Sequence, residues 1–157
     1  MKTNNTIYTI GHSIHRIDVF REMLQSFGIA YLADIRRYPV SKRHPQFTKE
    51  ALSHSLQEAG IHYQHYADLG ARLDTNVYPN YVSYMQSEAF GNAIEKLQAK
   101  ARHQSVAYMC AEANWRQCHR VHVSTYLQKQ GWQVLHITAK DAATPHPLEI
   151  LKQGKLF

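Results

Sequence analysis

Short apolar segments alternate with longer amphipathic segments along this chain of 157 residues. The apolar segments lie at positions 7–10, 30–35, 61–63, 106–109 and 132–137, and they have the length and composition of buried β-strands. Each is bounded by polar residues or glycine, which mark the turns that follow. The pattern therefore predicts five strands.

The segments between these strands carry apolar residues at helical spacing. In the first of them, Ile17, Phe20, Leu24 and Phe27 form one stripe, and Gly28 follows as a left-handed cap. The other predicted helices cover positions 48–60 with Thr48 as N-cap, 80–103 with a break near Gly91, and 114–131.

Strict alternation of strand and helix predicts an α/β fold, because right-handed crossovers place successive strands parallel and cover both faces of the sheet with helices. We expect a single three-layer domain over residues 1–157, with a mostly parallel sheet of about five strands. No repeat or linker divides the chain, and the tail from about residue 140 is expected to be extended or irregular.

Polar and reactive residues follow the predicted strands. In a parallel sheet all carboxyl ends meet at one edge, where ligands bind. The sequence therefore predicts one pocket at this edge. The residues placed there are Gly11, His12, Ser13, Asp34, Arg36, Arg37, Asp68, Leu69, Gly70, Cys110, Glu112 and His136.

The composition favours anionic partners, because 18 Lys and Arg residues outnumber 12 Asp and Glu residues, giving a formal charge of +6. Two cysteines are too few for a disulfide scaffold, and no signal peptide opens the sequence, so a reducing cytoplasm fits best. No apolar run reaches the ~18 residues of a membrane span. The sequence does not indicate an oligomeric state.

The stretch from Cys110 to Arg120 concentrates the reactive groups. Cys110, ahead of a predicted helix, is either an activated nucleophile or a small apolar residue closing a strand. Cys118 is placed on the first helical turn, packed against the core. Cys110, Cys118 and His119 are suitable zinc ligands by type, but the Cys-x7-Cys-His spacing is not followed by the second ligand pair of a familiar zinc motif. Neither a metal nor a cofactor is therefore predicted.

Three further residues of this stretch leave alternatives open. Glu112 is either a general acid or base, or a carboxylate that compensates the helix dipole. His119 and Arg120 diverge by about 100° on a regular helix and cannot both face one point. We expect Arg120 to bind a ligand or to pair with Asp34, with His119 as a candidate proton carrier.

Asp34 ends an apolar strand and needs a partner, because an unpaired buried carboxylate is costly. Arg36 is the expected partner. With Arg37, Lys42 and Arg43 it forms a run of cations in a proline-containing loop, which is either a phosphate clamp or a solvated surface.

The residues after the first predicted strand, and a group of tyrosines, each allow both a functional and a structural interpretation. His12 is a candidate base or ligand contact, while Ser13 could cap the first helix. A group of tyrosines lies near Arg72, where it would suit either base stacking or ordinary packing. Its members are Tyr63, Tyr66, Tyr78, Tyr81 and Tyr84.

The whole sequence resembles the domain of unknown function 488 family. The matching pieces are residues 9–13, 34–37 with Pro39, Ser41 and Arg43, then 69–70, 84–85, 109–112 and 118–120. The resemblance implies a small bacterial or archaeal α/β protein without a settled activity. Ala71 departs from the pattern, which usually has a second glycine there. The site residues that the resemblance implies are Gly11, His12, Ser13, Asp34, Arg36, Arg37, Arg43, Cys110, Glu112, Cys118, His119 and Arg120.

Together these observations predict a small cytoplasmic enzyme of the hydrolase or transferase type, acting on an anionic substrate derived from a nucleotide or nucleic acid. The alternative is a non-catalytic nucleic-acid-binding module, so enzyme status stays open. The predicted catalytic residues are Cys110, Glu112, His12, His119 and Asp34. The predicted substrate-binding residues are Gly11, Ser13, Arg36, Arg37, Arg43, Cys118 and Arg120.

Overall fold

The computed structural model describes residues 5–70 and 79–148. Its strands correspond to the apolar segments of the sequence, with one addition near the end. The strands are β1 (Thr6–Gly11), β2 (Tyr31–Asp34), β3 (His62–His65), β4 (Val106–Cys110), β5 (Gln133–Ala139) and β6 (Ala142–Pro145).

The α-helices lie between these strands, and short 3-10 turns occur at 45–47, 67–69 and 115–117. The helices are α1 (Ile17–Gln25), α2 (Lys49–Glu58), α3 (Tyr81–Tyr84), α4 (Glu88–Ala101) and α5 (Arg120–Lys129).

The strands form a sheet in the order β3-β2-β4-β1-β5-β6. All neighbouring pairs are parallel except β5 and β6, which are antiparallel. The predicted α/β fold with a mostly parallel sheet is confirmed. The sixth strand was missed because its sequence, Ala-Ala-Thr-Pro, is short, has one β-branched residue and no aromatic residue, and ends in proline.

Two apolar clusters cover the two faces of the sheet. One, here called the α4–α5 face, includes Tyr108 and Cys110 of β4 together with Ile94 and Leu127 from those helices. The other, the α1–α2 face, includes Met109 of β4 together with side chains of α1 and α2. Successive strand residues alternate between the faces, as the pleat requires.

The break in the 80–103 region differs from the prediction. It lies at residues 85–87 and not near Gly91, because Ser87 accepts a hydrogen bond from the Phe90 amide and so begins α4. Gly91 is inside α4, where a side chain would meet no heavy atom within 4 Å.

The predicted helix over 114–131 begins later than expected. A 3-10 turn at Trp115–Gln117 is followed by extended backbone at Cys118, with φ of −141°, and α5 starts at Arg120. Cys118 therefore lies in a loop ahead of the helix, and its predicted place on the first helical turn is wrong. The 3-10 turn interrupts the α-helical pattern and redirects the chain before α5.

Of the two predicted caps, Thr48 is confirmed in position and Ser13 is not. Thr48 occupies the N-cap position of α2, but its hydroxyl donates to the Pro45 carbonyl and does not cap the helix. Ser13 does not cap α1, whose N-cap is Arg16. Within the described ranges, no helix has the length and apolar character needed to cross a membrane.

Candidate functional site at the carboxyl edge of the sheet

The rim residues meet at one edge of the sheet but not on one face. Gly11 pairs with Cys110 and Asp34 pairs with Met109, so the three strand ends are level. Paired residues of parallel strands point to the same face, so Asp34 lies on the α1–α2 face with Met109, while Cys110 lies on the α4–α5 face. The predicted single pocket is therefore wrong, and the site has two sides.

A cavity opens on each side. The His12 cleft has a volume of about 630 Å³, and the Cys118 cavity has a volume of about 310 Å³. Ala111 and Glu112 line both, so the segment after β4 forms their common wall. Charged residues of the His12 cleft are Lys42, Arg43 and Glu112. Residues of the Cys118 cavity are Arg36, Arg37, Tyr38, Val40, Cys110, Ala111, Glu112, Cys118 and His119.

Asp34 and Arg36 form a buried ion pair, as the sequence predicted. Arg36 donates from Nε to Oδ1 at 2.9 Å and from Nη2 to Oδ2 at 2.7 Å, and its backbone amide also donates to Oδ1. The Tyr63 hydroxyl donates to Oδ2. Because Asp34 is fully buried and surrounded by donors, it cannot reach a substrate itself. It holds Arg36, and its predicted catalytic role becomes a positioning role.

His12 is held as a neutral imidazole. Arg36 Nη1 lies 3.4 Å from His12 Nε2, and a guanidinium can only donate, so Nε2 accepts and Nδ1 carries the proton that goes to the Ser13 carbonyl. The ring stacks on Phe47 with centroids 4.4 Å apart. Burial, opposed by the Ser13 hydrogen bond, lowers the pKa of His12 to about 4. At neutral pH His12 therefore carries no charge.

The two cysteine sulfurs are in contact on the other side of the edge. Cys110 Sγ and Cys118 Sγ are 2.8 Å apart, and both residues are free thiols. Arg120 directs its backbone amide and Nε at Cys118 Sγ, each at 3.4 Å. The Cys110 thiol and then the Arg120 charge and N–H groups lower the pKa of Cys118, whereas the shared hydrogen bond and burial raise the pKa of Cys110.

Arg120 is a buried cation without a carboxylate partner in the described part of the chain. It is 1% exposed, and its Nη groups donate to the Thr9 hydroxyl and to the carbonyls of Glu112 and Ala113. It does not pair with Asp34, which corrects one predicted role, and it is too buried to bind a ligand directly. A buried guanidinium stays charged and needs compensation, and its Nε and backbone N–H groups are directed at the Cys118 sulfur.

Gly11 makes this arrangement possible. A Cβ atom there would lie 1.8 Å from the Glu112 carbonyl oxygen and 2.9 Å from Arg120 Nη2. The glycine thus lets the segment after β4 cross directly over β1 and present its carbonyl to the guanidinium. Its predicted role in substrate binding is not supported, since protein atoms fill the space beside it.

A chain of hydrogen bonds leads away from Arg120 through the sheet. Arg120 Nη1 donates to Thr9 Oγ1 at 3.0 Å, and Thr9 Oγ1 lies 2.6 Å from His136 Nδ1. The Thr9 hydroxyl donates there, because Thr125 at the far end of the series donates to the Val121 carbonyl and so must accept from His146 Nε2, which leaves Nδ1 as the acceptor atom of each histidine. His136 therefore carries its proton on Nε2. Burial, reinforced by the neighbouring His146, lowers the pKa of His136 to about 3 and keeps the ring neutral.

The chain continues to the segment after β6. His136 Nε2 donates to His146 Nδ1 at 3.0 Å, and His146 Nε2 donates to Thr125 Oγ1 at 3.0 Å. Thr125 in turn donates to the Val121 carbonyl. Every donor in this series has an acceptor, with both histidines neutral. The sequence had placed His136 at the rim. Thr9 lies in a piece that matches the family, but its residue type gave no signal of this role, and neither did that of His146, since a hydroxyl in a strand and a histidine in a tail are common.

Aromatic stacking supports the same residues from the loop. The Trp115 ring lies parallel to the His136 ring, with the ring centroids 4.3 Å apart. The Arg116 guanidinium lies over the Trp115 ring, 4.2 Å from its centroid. Arg116 is exposed and makes no contact with Cys118. The Cys110 to Arg116 spacing, which resembles that of phosphatase loops, therefore does not bring this arginine to the sulfurs.

Two titratable groups line the Cys118 cavity together with Cys118. His119 Nε2 donates to the Ile35 carbonyl at 2.9 Å, which leaves the lone pair of the neutral ring on Nδ1. Burial lowers the pKa of His119, so the ring is available as a proton acceptor. Glu112 is exposed at the wall between the two cavities. The irregular backbone before α5 lets His119 line the Cys118 cavity while Arg120 reaches Cys118 Sγ from the protein interior.

Only part of the predicted phosphate clamp is open to an anion. Arg36 is paired with Asp34, and Arg37 donates to the Ala67 carbonyl and lies 3.4 Å from the Asp68 carboxylate. Lys42 and Arg43 are exposed, line the His12 cleft with Ser13, and have no ion-pair partner among the residues described. The cations open to an anion are therefore Lys42 and Arg43.

The tyrosine group is split in the same way. Tyr66, Tyr81 and Tyr84 are buried in the cluster of the α4–α5 face, which favours packing over base stacking for these residues. Tyr78, Arg72 and the Ala71 departure lie outside the described residues. In the ranges that the structure describes, no group of three or more His, Cys, Asp or Glu side chains is arranged to hold a metal ion.

Comparison with known proteins gives a family but no activity. A family model described as "Domain of unknown function DUF488" matches residues 16–127, which is more than half of the chain. No curated protein and no solved structure matches the chain.

Proposed function

The chain belongs to the family of the domain of unknown function DUF488, and since that description names no reaction, we propose from the site that the protein is a thiol-dependent enzyme of the transferase or hydrolase type with an anionic substrate. Cys118 is the nucleophile. The observation that carries the proposal is the buried Arg120 cation, whose N–H groups converge on the Cys118 sulfur.

The assignment moves the predicted nucleophile from Cys110 to Cys118. Cys110 is 2% exposed and receives no N–H group from the described residues, whereas Cys118 is partly exposed in the Cys118 cavity and receives two. A thiolate, not a thiol, is the reactive form of cysteine. Cys110 then acts as the donor that holds the thiolate through its S–H group.

The substrate is proposed to span the wall between the two cavities. Its anionic group occupies the His12 cleft near Lys42 and Arg43, and its electrophilic centre lies over Ala111 and Glu112 beside Cys118. The Cys118 sulfur bonds to that centre while the leaving group departs with the electron pair of the broken bond. His119 Nδ1 is the candidate acceptor for a proton from the second substrate or water, and Glu112 is the other candidate.

Alkylation tests the nucleophile. Iodoacetamide at pH 7, followed by peptide mass spectrometry, is expected to label Cys118 at least ten-fold faster than Cys110. Inorganic phosphate and adenosine monophosphate are expected to slow the labelling of Cys118. Equal labelling of both cysteines, or labelling insensitive to both anions, would contradict the proposal.

A matched pair of variants tests the anion subsite. Lys42→Gln with Arg43→Gln is expected to abolish the protection by phosphate, because it removes the unpaired cations of the His12 cleft. Lys49→Gln with Lys140→Gln makes the same charge change at exposed positions outside the cleft and is expected to preserve protection. Loss of protection in both pairs would indicate only a general charge effect.

The alternative is the non-catalytic nucleic-acid-binding module. It predicts tight binding of a single-stranded oligonucleotide that is unchanged in Cys118→Ser, with log affinity falling by roughly 0.7 per phosphate contact against log salt. Binding of this kind without anion protection of Cys118 would favour the module. Because Cys110 and Cys118 are in contact and both free, we propose a reducing compartment, the cytoplasm.

A further inference from the structure

The two cysteines differ in access although their sulfurs touch. Cys118 faces the Cys118 cavity, while Cys110, eight positions earlier, lies behind it at the end of β4 with 2% exposure. We propose that Cys110 and Cys118 form a dithiol–disulfide pair that exchanges with low-molecular-weight disulfides, Cys118 attacking first and Cys110 resolving. The inference rests on the same accessible Cys118 thiolate as the proposed function.

The exchange has two balanced steps. The Cys118 thiolate attacks one sulfur of the small disulfide, so a mixed disulfide forms and the other half leaves as a thiolate. The Cys110 sulfur, after losing its proton to that thiolate, attacks Cys118 Sγ. The Cys110–Cys118 disulfide then forms and the second small fragment leaves as a thiolate. The protein loses two electrons and the Cys110 proton, and the small disulfide is reduced to one thiol and one thiolate, which takes its proton from water.

Distance and access explain this order of attack. A sulfur separation of 2.8 Å leaves Cys110 within reach of Cys118 Sγ with little movement of β4. Both cysteines line the Cys118 cavity, but Cys110 is only 2% exposed while Cys118 is partly exposed, so a small disulfide meets the Cys118 sulfur first. An accessible thiolate beside a shielded second thiol is the arrangement found at redox-active cysteines, where the second thiol resolves the first adduct.

Arg120 determines which form of the pair is favoured. In the dithiol form its guanidinium faces the Cys118 thiolate, and in the disulfide form it faces two uncharged sulfurs. Oxidation therefore leaves a buried cation uncompensated, which favours the reduced form. The disulfide is expected to be a readily reduced, reversible state and not a permanent structural link. While it lasts, it removes the nucleophile of the proposed enzyme.

The test treats the reduced protein with oxidised glutathione at pH 7.5, stops the reaction with acid and measures intact mass. The wild type is expected to lose two hydrogens without holding an adduct. Cys110→Ser is expected to accumulate one glutathione adduct on Cys118. Cys118→Ser is expected to react at least ten-fold more slowly, and circular dichroism confirms that each variant is folded.

Opposite results overturn the inference. A glutathione adduct that persists on the wild type as long as on Cys110→Ser would exclude resolution by Cys110. Adduct formation in Cys118→Ser at the wild-type rate would exclude Cys118 as the first nucleophile. If iodoacetamide labels Cys118 quickly but no disulfide forms, the exchange is refuted while the proposed enzyme function stands. If neither reagent reacts with Cys118, both fail.

Discussion

Arg120 connects the reactive sulfur to the interior of the sheet. Arg120 makes two different sets of hydrogen bonds. Its Nε and backbone amide donate to Cys118 Sγ, while its Nη groups donate to the Thr9 hydroxyl and to the carbonyls of the segment after β4. A single side chain thus fixes the loop geometry and supplies the charge that stabilises the thiolate. The acidity of Cys118 and the position of the loop cannot be varied independently.

Removing this guanidinium is expected to raise the pKa of Cys118. In Arg120→Gln, the midpoint of the pH dependence of iodoacetamide alkylation at Cys118 is expected to rise by at least about one unit, because a neutral amide replaces the charge that favours the thiolate. Arg116→Gln removes the same charge from an exposed side chain stacked on Trp115 and is expected to leave the midpoint nearly unchanged. An equal rise in both variants would contradict a specific role for Arg120.

Gly11 offers a second test at the scale of one residue. Gly11→Ala is expected to lower the free energy of unfolding by about 1–3 kcal/mol or more, since the new methyl group would overlap the Glu112 carbonyl. Gly91→Ala, in open space on α4, is expected to raise it by about 0.5–1 kcal/mol. Urea denaturation measures both, and similar values for the two variants would refute the close approach at Gly11.

At the scale of elements, periodicity predicted the strands and most helices, because buried strands and amphipathic helices leave strong local signals. The prediction for the region after β4 was wrong, because the 3-10 turn and the extended backbone at Cys118 depend on contacts with Arg120 and the sheet, which periodicity does not show. The assignment of faces was within reach of the sequence: Asp34 shares a face with Leu32, and Cys110 with Tyr108, by simple alternation.

The strand β6 and the residues after it contribute through His146. His146→Ala is expected to lower the free energy of unfolding by about 1–3 kcal/mol, because it leaves the buried His136 N–H without its acceptor. His103→Ala changes an exposed histidine and is expected to have little effect. Urea denaturation at pH 7.5 compares them, and equal stability of the two variants would show that the hydrogen-bond chain is not a stabilising unit.

At the scale of the whole molecule, buried neutral histidines make stability depend on pH. The folded pKa values of His136 and His12 are lowered to about 3 and about 4, below the ordinary value of 6.5. The unfolded chain therefore binds protons first as pH falls below about 6.5, and stability is lost from there down to the folded pKa values. Each histidine is expected to cost roughly 2 kcal/mol between pH 7.5 and pH 5.

Variants separate this effect from general acid denaturation. His136→Gln is expected to reduce the loss of unfolding free energy between pH 7.5 and pH 5 by about 2 kcal/mol. His54→Gln, at an exposed position, is expected to leave the loss unchanged. The measurement is urea denaturation at both pH values. The same pH dependence in wild type and His136→Gln would show that the pKa of His136 is not lowered in the folded protein.

The strand order also dictates when the fold can form during translation. β1 is made first, yet its sheet neighbours are β4 and β5, which begin at Val106 and Gln133. Until the ribosome has released those segments, β1 has no strand beside it, and the early chain can pair only β2 with β3. A nascent chain that stops before Val106 therefore exposes its central strand, and it is a natural client for chaperones that hold unpaired apolar segments.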